Sequence, residues 1–404
     1  MLPIAIERVL EAQKRIEPYV HATPLLRMDS LIPSQANKIL IKAETFQKTG
    51  SFKLRGAANF LLQHLEEAKS KGVVTASAGN HGQAVAAMST RLGVAATIVM
   101  PTSTPALKTE NAKRLGGKVE LVGQTFEEAV QHARSLSEQG KRLYVHGYAD
   151  PDVIAGQGTL ALEMIAKDRF KDIEAVVVPV GGGGLAAGVC TVLKARRPDI
   201  KIYGVAAKNV PTCWELYHGK TPEAPSRRYT LAEGVAIKST NTEIVDFLKK
   251  HLTDFFLIEE DSIAHSIALL AERAKIVAEG AAALSVAVLL EEKIKEKNVA
   301  LLLSGGNVDL STLSRVLQRG LVEQGRLSRL HITGTDRPGL LHTITEVLFR
   351  TQANIIQVSH TRGTLNIGVG EAKIEVDIET RAPDHTQEVI EELKKTSLRV
   401  ERVF

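Results

Sequence analysis

The sequence predicts an α/β protein whose parallel sheets are covered by helices on both faces, followed by a smaller βαββαβ module. Short apolar segments alternate with helix-like segments from Val73 to Leu303, which is typical of buried parallel strands. From Leu327 onward the pattern changes, and residues 371–380 alternate apolar and charged side chains as a half-exposed strand does. A count of 31 glycines with only 4% aromatic residues also favours many helix–strand turns over a β-sandwich.

The strands predicted in the first part of the chain are short apolar runs that end at glycine, proline or polar residues. After the first of them, apolar residues recur at helical spacing up to Leu92, and Gly93 fits the position that ends a helix. Pro101 ends the second. In chain order we predict strands at residues 73–76, 96–100, 118–122, 143–146, 175–180, 202–206, 255–258 and 299–303.

The last 78 residues form the second predicted domain. Its predicted order is βαββαβ, the order of a ferredoxin-like module. We place the boundary near Arg326, which gives domains of residues 1–326 and 327–404. The predicted strands are 327–333, 354–361, 371–380 and 398–403, and the predicted helices are 338–351 and 387–395.

Charge and cysteine content exclude several classes of partner. Lys and Arg number 51 and Asp and Glu 46, so the net charge is only +5. Without a basic tract interleaved with aromatic residues, we expect no nucleic-acid partner. Cys190 and Cys213 stand in unrelated contexts, which fits a reducing cytoplasm. We expect no signal peptide, no membrane partner and a cytoplasmic protein.

Lys53 lies in the first of four segments that suggest chemistry. Ser51 is a suitable N-cap, and apolar residues follow Lys53 at helical spacing. A lysine in the first turn faces the positive end of the helix dipole, which disfavours its ammonium form. This favours a free amine that acts as nucleophile or base. The alternative interpretation is a solvated surface lysine.

The second segment, Ser77-Ala78-Gly79-Asn80-His81-Gly82-Gln83, lies between a predicted strand and a predicted helix. Small residues at a helix N-terminus let backbone N–H groups approach a carboxylate or a phosphate. The alternative is an ordinary helix cap, and His81 alone is more often structural than catalytic. Since no partner stands at metal-ligand spacing, we expect no metal.

The other two segments also follow predicted strands. Gly181-Gly182-Gly183-Gly184-Leu185 combines a run of glycines with a helix N-terminus, which suits a phosphate. It matches neither a P-loop nor the dinucleotide-binding spacing of glycines. In Ser304-Gly305-Gly306-Asn307, a hydroxyl at a strand end can bond a ligand ring atom, and the alternative is a turn capped by serine.

Together the four segments resemble the fold type II pyridoxal-phosphate enzymes, a tryptophan synthase β-like fold, and among these most closely the threonine dehydratase family. The resemblance covers about residues 5–325. It implies pyridoxal 5'-phosphate as the cofactor and two parallel-sheet α/β lobes. The smaller lobe would span about residues 47–147 and be inserted in the larger one.

The resemblance also implies roles for individual residues. Lys53 matches the Schiff-base lysine and is the expected catalytic residue, Asn80 would reach the cofactor 3-oxygen, and Ser304 would bond the pyridine nitrogen. Glu44 and Glu279 fall where the family carries acidic residues. The residues expected at the cofactor phosphate are Gly181, Gly182, Gly183, Gly184 and Leu185. Those expected at the substrate carboxylate are Ser77, Gly79, Asn80 and His81.

The function that this family implies is conversion of L-threonine to 2-oxobutanoate and ammonia, and of L-serine to pyruvate, as the first step toward isoleucine. A serine racemase-like enzyme, another β-elimination or β-replacement enzyme, and a non-catalytic amino-acid sensor are the alternatives. Ala78 stands where serine racemase has a second serine, and a methyl group cannot transfer a proton. Racemisation is therefore disfavoured, while a biosynthetic and a catabolic role both stay open.

The second domain resembles an ACT domain, the amino-acid-sensing module of biosynthetic enzymes. Asp336 and Asn354 match residues that help to hold the effector in a related domain. The resemblance implies allosteric regulation by an amino acid and a homo-oligomer, either a dimer or a tetramer. It favours isoleucine as effector without fixing its identity.

Overall fold

The chain divides into two compact units, residues 1–308 and residues 309–404. The structure, a computed structural model, describes residues 4–32, 38–222, 229–362 and 367–404. The division lies 18 residues before the predicted boundary at residue 326. The reason is a helix at Leu310–Glu323, which packs on the first strand of the second unit. The pattern of strands alone does not reveal to which unit this helix belongs.

The first unit contains helices and short strands in alternation. Its helices are α1 (Ile6–Ile16), α2 (Lys53–Gln63), α3 (Leu65–Lys71), α4 (Asn80–Leu92), α5 (Ala106–Arg114), α6 (Phe126–Glu138), α7 (Pro151–Ile165), α8 (Gly184–Arg196), α9 (Thr212–Tyr217), α10 (Thr242–His251), α11 (Glu260–Leu269) and α12 (Gly280–Leu290). Its strands are β1 (Leu25–Arg27), β2 (Lys38–Ala43), β3 (Val73–Ala76), β4 (Ala96–Met100), β5 (Lys118–Leu121), β6 (Leu143–Tyr144), β7 (Ala175–Pro179), β8 (Lys201–Ala207), β9 (Asp254–Ile258) and β10 (Asn298–Leu303).

These strands form two sheets, each the centre of one lobe. The larger sheet has the order β1-β2-β10-β7-β8-β9 and is parallel except for β1. The smaller sheet has the order β5-β4-β3-β6 and is wholly parallel. The prediction of parallel sheets is confirmed, and β3 and β4 occupy the predicted residues. Strands β1 and β2 were not predicted.

Helix α2 begins at Lys53, as the helical spacing predicts, but it is not capped by Ser51. The residue before the helix is Phe52, which makes no side-chain capping bond. Ser51 instead forms an isolated bridge with Gly305, and its hydroxyl is buried with no hydrogen-bond partner among the described residues. The prediction of a Ser51 cap was wrong, because pairing with a distant segment takes this residue away from the helix end.

Four charged side chains, here called the charge quartet, meet between the end of β2, α2 and α7: Lys42, Glu44, Arg55 and Glu163. The first three are buried, and Glu163 is partly buried. Arg55 and Glu44 are fully buried, and Arg55 Nε and Nη2 each lie 2.9 Å from a Glu44 oxygen. Arg55 Nη1 donates to Glu163 at 2.6 Å, and Lys42 also donates to Glu163. Two cations and two carboxylates thus neutralise one another where α2 packs against β2 and α7.

The second unit is a four-stranded antiparallel sheet in the order β12-β13-β11-β14. Its elements are α13 (Leu310–Glu323), β11 (Leu327–Thr335), α14 (Leu340–Thr351), β12 (Asn354–Arg362), β13 (Glu371–Glu379), α15 (Pro383–Lys394) and β14 (Arg399–Arg402). The apolar side chains of β13 are fully buried with those of both helices of the module, so the predicted alternation and the βαββαβ order are confirmed. Among the described residues, no helix has the length and hydrophobicity to cross a bilayer.

Candidate active site

The segment that carries Lys53 and the segment after β10 are joined by backbone hydrogen bonds. Phe52 N donates to Ser304 O at 3.0 Å, and Gly306 N donates to Gly50 O at 2.9 Å. Ser51 and Gly305 form the bridge already described. The first and fourth segments predicted from the sequence, about 250 residues apart in the chain, are therefore neighbours.

Asn80 brings the second predicted segment to the same place. Its Nδ2 donates to both carboxylate oxygens of Glu279, each at 2.9 Å. Its Oδ1 accepts from Asn307 Nδ2 at 2.8 Å, and Asn307 also donates to Thr49 O at 2.8 Å. The N-terminus of α4 thus contacts Asn307 of the fourth segment and Glu279, the residue before α12. Glu279, which the sequence singled out only by resemblance, is a central member of the cluster.

The glycine run is linked to Lys53 through residues 147–148. Lys53 Nζ donates to Gly147 O at 2.7 Å. A Cβ on Gly182 would lie 2.3 Å from the ring of Tyr148, and a Cβ on Gly184 would lie 2.3 Å from Tyr148 O. Tyr148, the residue after Gly147, therefore leaves no room for a side chain at Gly182 or Gly184.

Gly183 requires glycine for two reasons. Its φ is +84°, a backbone conformation that L side chains rarely adopt, and a Cβ would lie 2.4 Å from Ile244 Cγ2. It is also the residue before the 13-residue helix α8, whose first turn begins at Gly184. The run therefore presents a helix N-terminus, which favours an anion.

Lys53 is a weaker base than an ordinary lysine. Burial lowers its pKa from 10.5 to about 8, against the opposing effect of the Glu279 carboxylate. Lys53 Nζ also lies 5.1 Å from the centre of the Phe52 ring. A larger fraction of the side chain is consequently the free amine near neutral pH, which is the form that acts as nucleophile or base.

The pKa of Glu279 is raised, whereas that of Lys53 is lowered. Burial raises the pKa of Glu279 from 4.5 to about 7, and the Asn80 hydrogen bond and the Lys53 charge only partly offset that rise. Glu233 raises the pKa further, while Lys108 lowers it. An amine and a carboxyl group of this site thus both change charge near neutral pH, a common property of functional sites.

Two histidines support the turn that offers Gly147 O to Lys53. His81 Nε2 lies 3.0 Å from Val145 O, and burial and the Lys53 charge lower the pKa of His81 to about 3. His146 Nδ1 accepts from the N–H groups of Tyr148 and Ala149, and burial lowers its pKa to about 4. Both rings are neutral. His81 is 5% exposed and bonded to backbone, so its expected contact with substrate stays a prediction.

The other predicted residues take varied positions. Ser77 Oγ accepts from Gly79 N at 3.2 Å at the start of α4, and Ser304 is buried directly after β10. Leu185 is buried in the first turn of α8. Glu44 bonds Arg55 within the charge quartet, and no described hydrogen bond joins its side chain to Lys53.

Asp336 and Asn354 lie in the second unit, at opposite ends of its sheet. Asp336 pairs with Arg362, which is aligned with the first part of β13, whereas Asn354 is aligned with Glu379 at its end. A single copy of the unit does not bring these two side chains together.

Sequence reasoning missed His146, Gly147, Tyr148 and Asn307. A signal for the first three existed, because they follow or end the predicted strand 143–146 and ligands of α/β proteins bind beyond the carboxyl ends of strands. Asn307 gave no signal beyond its place in the fourth segment. Its partners, Thr49 and Asn80, are more than 200 residues away in the chain.

Comparison with known proteins defines the class. Residues 16–305 match the pyridoxal-phosphate dependent enzymes, and the chain belongs to this family. These residues lie within the first unit and include the first three segments and the start of the fourth, Ser304-Gly305. The predicted cofactor, pyridoxal 5'-phosphate, and the predicted fold class are confirmed.

Individual relatives show which members of this family the chain resembles. The chain is 39% identical over 387 residues to the L-threonine ammonia-lyase of Thermotoga maritima, covering 96% of each chain. It is 36% identical to the solved processed form of threonine deaminase isoform 2 from Solanum lycopersicum, with a TM-score of 0.70 over 77% of this chain and 86% of that one. Maize serine racemase is 31% identical, with a TM-score of 0.72 over 79% of this chain and 98% of that one.

The described residues fit this cofactor. Its aldehyde needs an amine, and Lys53 supplies one with a lowered pKa. Its phosphate needs an anion site, and the N-terminus of α8 behind Gly183 supplies one. A Cβ on Gly79 would meet nothing within 4 Å, so space lies beside the start of α4. Over the ranges that the structure describes, no three His, Cys, Asp or Glu side chains are grouped to hold a metal ion.

Proposed function

We propose that the protein is an L-threonine ammonia-lyase that converts L-threonine to 2-oxobutanoate and ammonia. The observation that carries this proposal is the position of Lys53, whose amine has a lowered pKa and lies where the glycine-marked segments meet. The named activity of the Thermotoga maritima relative, which matches nearly the whole chain, supports the same reaction.

Lys53 would hold the cofactor and then act as general base. When bound, pyridoxal phosphate supplies an electron sink for the negative charge that develops at the substrate Cα. The Lys53 amine removes the Cα proton, and its pKa of about 8 keeps a useful fraction of it unprotonated at neutral pH. Loss of the β-hydroxyl as water and later uptake of water at Cα, with release of ammonia, give 2-oxobutanoate. L-Serine would give pyruvate by the same steps.

Other residues would bind the cofactor and the substrate and orient them toward Lys53. The N-terminus of α8, at Gly183 and Gly184, would hold the cofactor phosphate. The N-terminus of α4, with Ser77 and Gly79, would hold the substrate carboxylate. Ser304 would offer the pyridine nitrogen of the cofactor a neutral hydroxyl. Such a partner would not force that nitrogen to be protonated, which would favour prompt loss of the substrate β-hydroxyl over a long-lived negative charge.

The decisive test is the product formed from L-threonine by the purified holoenzyme. We expect equal amounts of 2-oxobutanoate and ammonia, together with an absorbance band of the bound cofactor near the edge of the visible range. A cofactor band without 2-oxobutanoate would contradict the proposed reaction and favour another reaction of the family. The absence of both would favour the amino-acid sensor.

Racemisation is the second candidate, since maize serine racemase shares the fold of this chain at 31% identity. The residue after Ser77 is Ala78, half-buried at the junction of β3 and α4. Its methyl group cannot deliver a proton to the face of Cα opposite Lys53. We therefore propose elimination as the main reaction.

We expect Ala78→Ser to produce a small but measurable serine racemase activity, because a new hydroxyl without supporting contacts is rarely well placed. Chiral chromatography of serine after incubation measures it. Ala95→Ser, on an exposed alanine, serves as control and should produce none. Fast racemisation by the unmodified enzyme would show that the argument from Ala78 is wrong.

We propose further that the second unit is an ACT domain that regulates the enzyme and takes part in assembly. The proposal rests on its βαββαβ order and on the sequence around Asp336. Because Asp336 and Asn354 lie at opposite ends of the sheet, an effector held by both would lie between two copies. Isoleucine is the favoured effector, which would place the enzyme at the first step toward that amino acid, in the cytoplasm.

A truncated form that ends at Val308 is expected to keep cofactor binding and basal activity and to lose the response to isoleucine and valine. The cut follows the division between the compact units, so α13 leaves with the domain on which it packs. Solved relatives about the size of the first unit support this cut. Titration with each amino acid at low threonine is the measurement, because an effector that favours one state changes apparent substrate affinity. Identical titration curves for the full-length and truncated enzymes would contradict the proposed regulatory role of the second unit.

A further inference from the structure

Asn80 is held at both ends of its amide. Nδ2 lies 2.9 Å from each oxygen of Glu279, and Oδ1 accepts from Asn307 Nδ2 at 2.8 Å. Equal distances from one nitrogen to both oxygens of a carboxylate are the geometry of a single shared N–H. The second N–H of Asn80 is then left for another acceptor.

The two orientations of an asparagine amide have nearly the same shape and opposite chemistry. An ionised carboxylate only accepts hydrogen bonds, so it permits the orientation with Nδ2 toward it and opposes the one with Oδ1 toward it. Asn307 favours the same orientation from the other side, since its Nδ2 can only donate. Glu279 supplies the charge-assisted and therefore stronger of the two constraints.

We propose that Glu279 is a positioning residue that fixes the Asn80 amide with its nitrogen available to the cofactor. The inference rests on the proposed placement of Asn80 beside the cofactor 3-oxygen. An amide turned the other way would offer its oxygen to that acceptor and would repel it. Glu279 thus acts through Asn80 rather than on the substrate.

Glu279 is itself anchored. Its N–H donates to Gly305 O at 3.0 Å, and it precedes the buried helix α12. A Cβ on Gly305 would lie 2.7 Å from Glu279 Oε1, so a side chain at residue 305 would displace the carboxylate. The absence of a side chain at Gly305 therefore lets the carboxylate reach Asn80.

The proposal predicts a pH dependence of cofactor binding. The titratable groups that face Glu279 are Lys53 from α2, Lys108 from α5 and Glu233 from the segment before α10. Glu279, with a pKa of about 7, is ionised above that pH and protonated below it. A protonated carboxyl can also donate, so it no longer excludes the wrong amide orientation. The orientation is therefore held above pH 7 and loosened as the pH falls.

The test is titration of apo-protein with pyridoxal phosphate, followed by absorbance, for wild type, Glu279→Ala, Asn80→Ala and the double variant. We expect Glu279→Ala to weaken cofactor binding about tenfold or more, the range for a lost hydrogen bond to a charged group. In the Asn80→Ala background the same change should cost little, since the two residues act as a unit. Glu66→Ala, on an exposed residue of α3, should leave affinity unchanged.

Glu279→Gln is the second variant, because it keeps the size of the side chain and cannot ionise. We expect the affinity of the wild-type protein for pyridoxal phosphate to fall as the pH is lowered from 8 to 6. The affinity of Glu279→Gln should fall less over the same range, because residue 279 no longer titrates. Equal losses from Glu279→Ala with and without Asn80, or the same pH dependence in Glu279→Gln, would overturn the proposal. So would unchanged affinity in Asn80→Ala. These titrations do not use turnover, so failure of the proposed threonine reaction would leave them unaffected.

Discussion

Lys53→Ala is expected to abolish turnover, with a loss of at least about a thousandfold, while leaving the fold intact. A positioned general base alone contributes roughly 10²–10⁴-fold, and Lys53 is also the proposed attachment point of the cofactor. Among the described residues its amine donates one hydrogen bond, to Gly147 O, so truncation removes little that stabilises the protein. The measurements are 2-oxobutanoate release, the absorbance of bound cofactor and far-ultraviolet circular dichroism.

Lys69→Ala is a suitable control for Lys53→Ala, because Lys69 is exposed on α3 and lies outside the site. It should keep wild-type activity and wild-type absorbance. Ammonia release near the wild-type rate by a well-folded Lys53→Ala protein would refute the assignment of Lys53. A lost cofactor band together with lost activity would support both proposed roles of the amine.

Arg55→Met is expected to lower the free energy of unfolding of the first unit by about 3–5 kcal/mol, the usual cost of breaking a buried ion pair from one side. Arg55 contacts both carboxylates of the charge quartet, and without it the fully buried Glu44 loses its direct cationic partner. Midpoints of urea unfolding measure the effect. Arg27→Met breaks an exposed pair with Asp29 and should change stability by less than about 1 kcal/mol. Equal midpoints for the two variants would contradict the prediction.

The charge quartet also predicts how acid affects stability. Burial by itself raises the pKa of Glu44, but the charge and hydrogen bonds of Arg55 outweigh that effect, so its pKa lies below the ordinary value of 4.5. A carboxyl group whose pKa is lowered by folding stabilises the protein above its unfolded pKa, and this stabilisation is lost as the pH falls through the folded pKa. We expect Arg55→Met to reduce this acid sensitivity, which unfolding midpoints measured between about pH 6 and pH 3 would reveal.

The sequence predicted the strands that are continuous apolar runs and missed β2 for a physical reason. Residues 38–43 place two lysines among apolar residues, and the buried Lys42 donates to Thr23 O and to Glu163, which is 121 residues away. Hydrophobic periodicity cannot anticipate such a partner. For the same reason the role of Glu44 could not be derived, since its principal partner, Arg55, lies on another element.

The four glycine-marked segments could be found because their chemistry is local. Each combines small residues with a strand end or a helix start, and the described contacts join the Lys53 segment to the other three. The partners between them could not be found in the same way. Asn80 and Glu279 are 199 residues apart, and only the fold makes them neighbours. The structure thus adds the supporting contacts to a set of residues that local sequence already indicates.

The charge quartet restricts which substitutions can accumulate during the evolution of this protein. Replacing Lys42, Glu44, Arg55 or Glu163 alone leaves a buried charge uncompensated, whereas exchanging the whole set for apolar side chains of similar volume can be neutral. Descendants of this protein can therefore abandon the quartet only through several coordinated mutations. We therefore expect relatives either to keep all four residues or to lose all four, although none of them is proposed to contact the substrate.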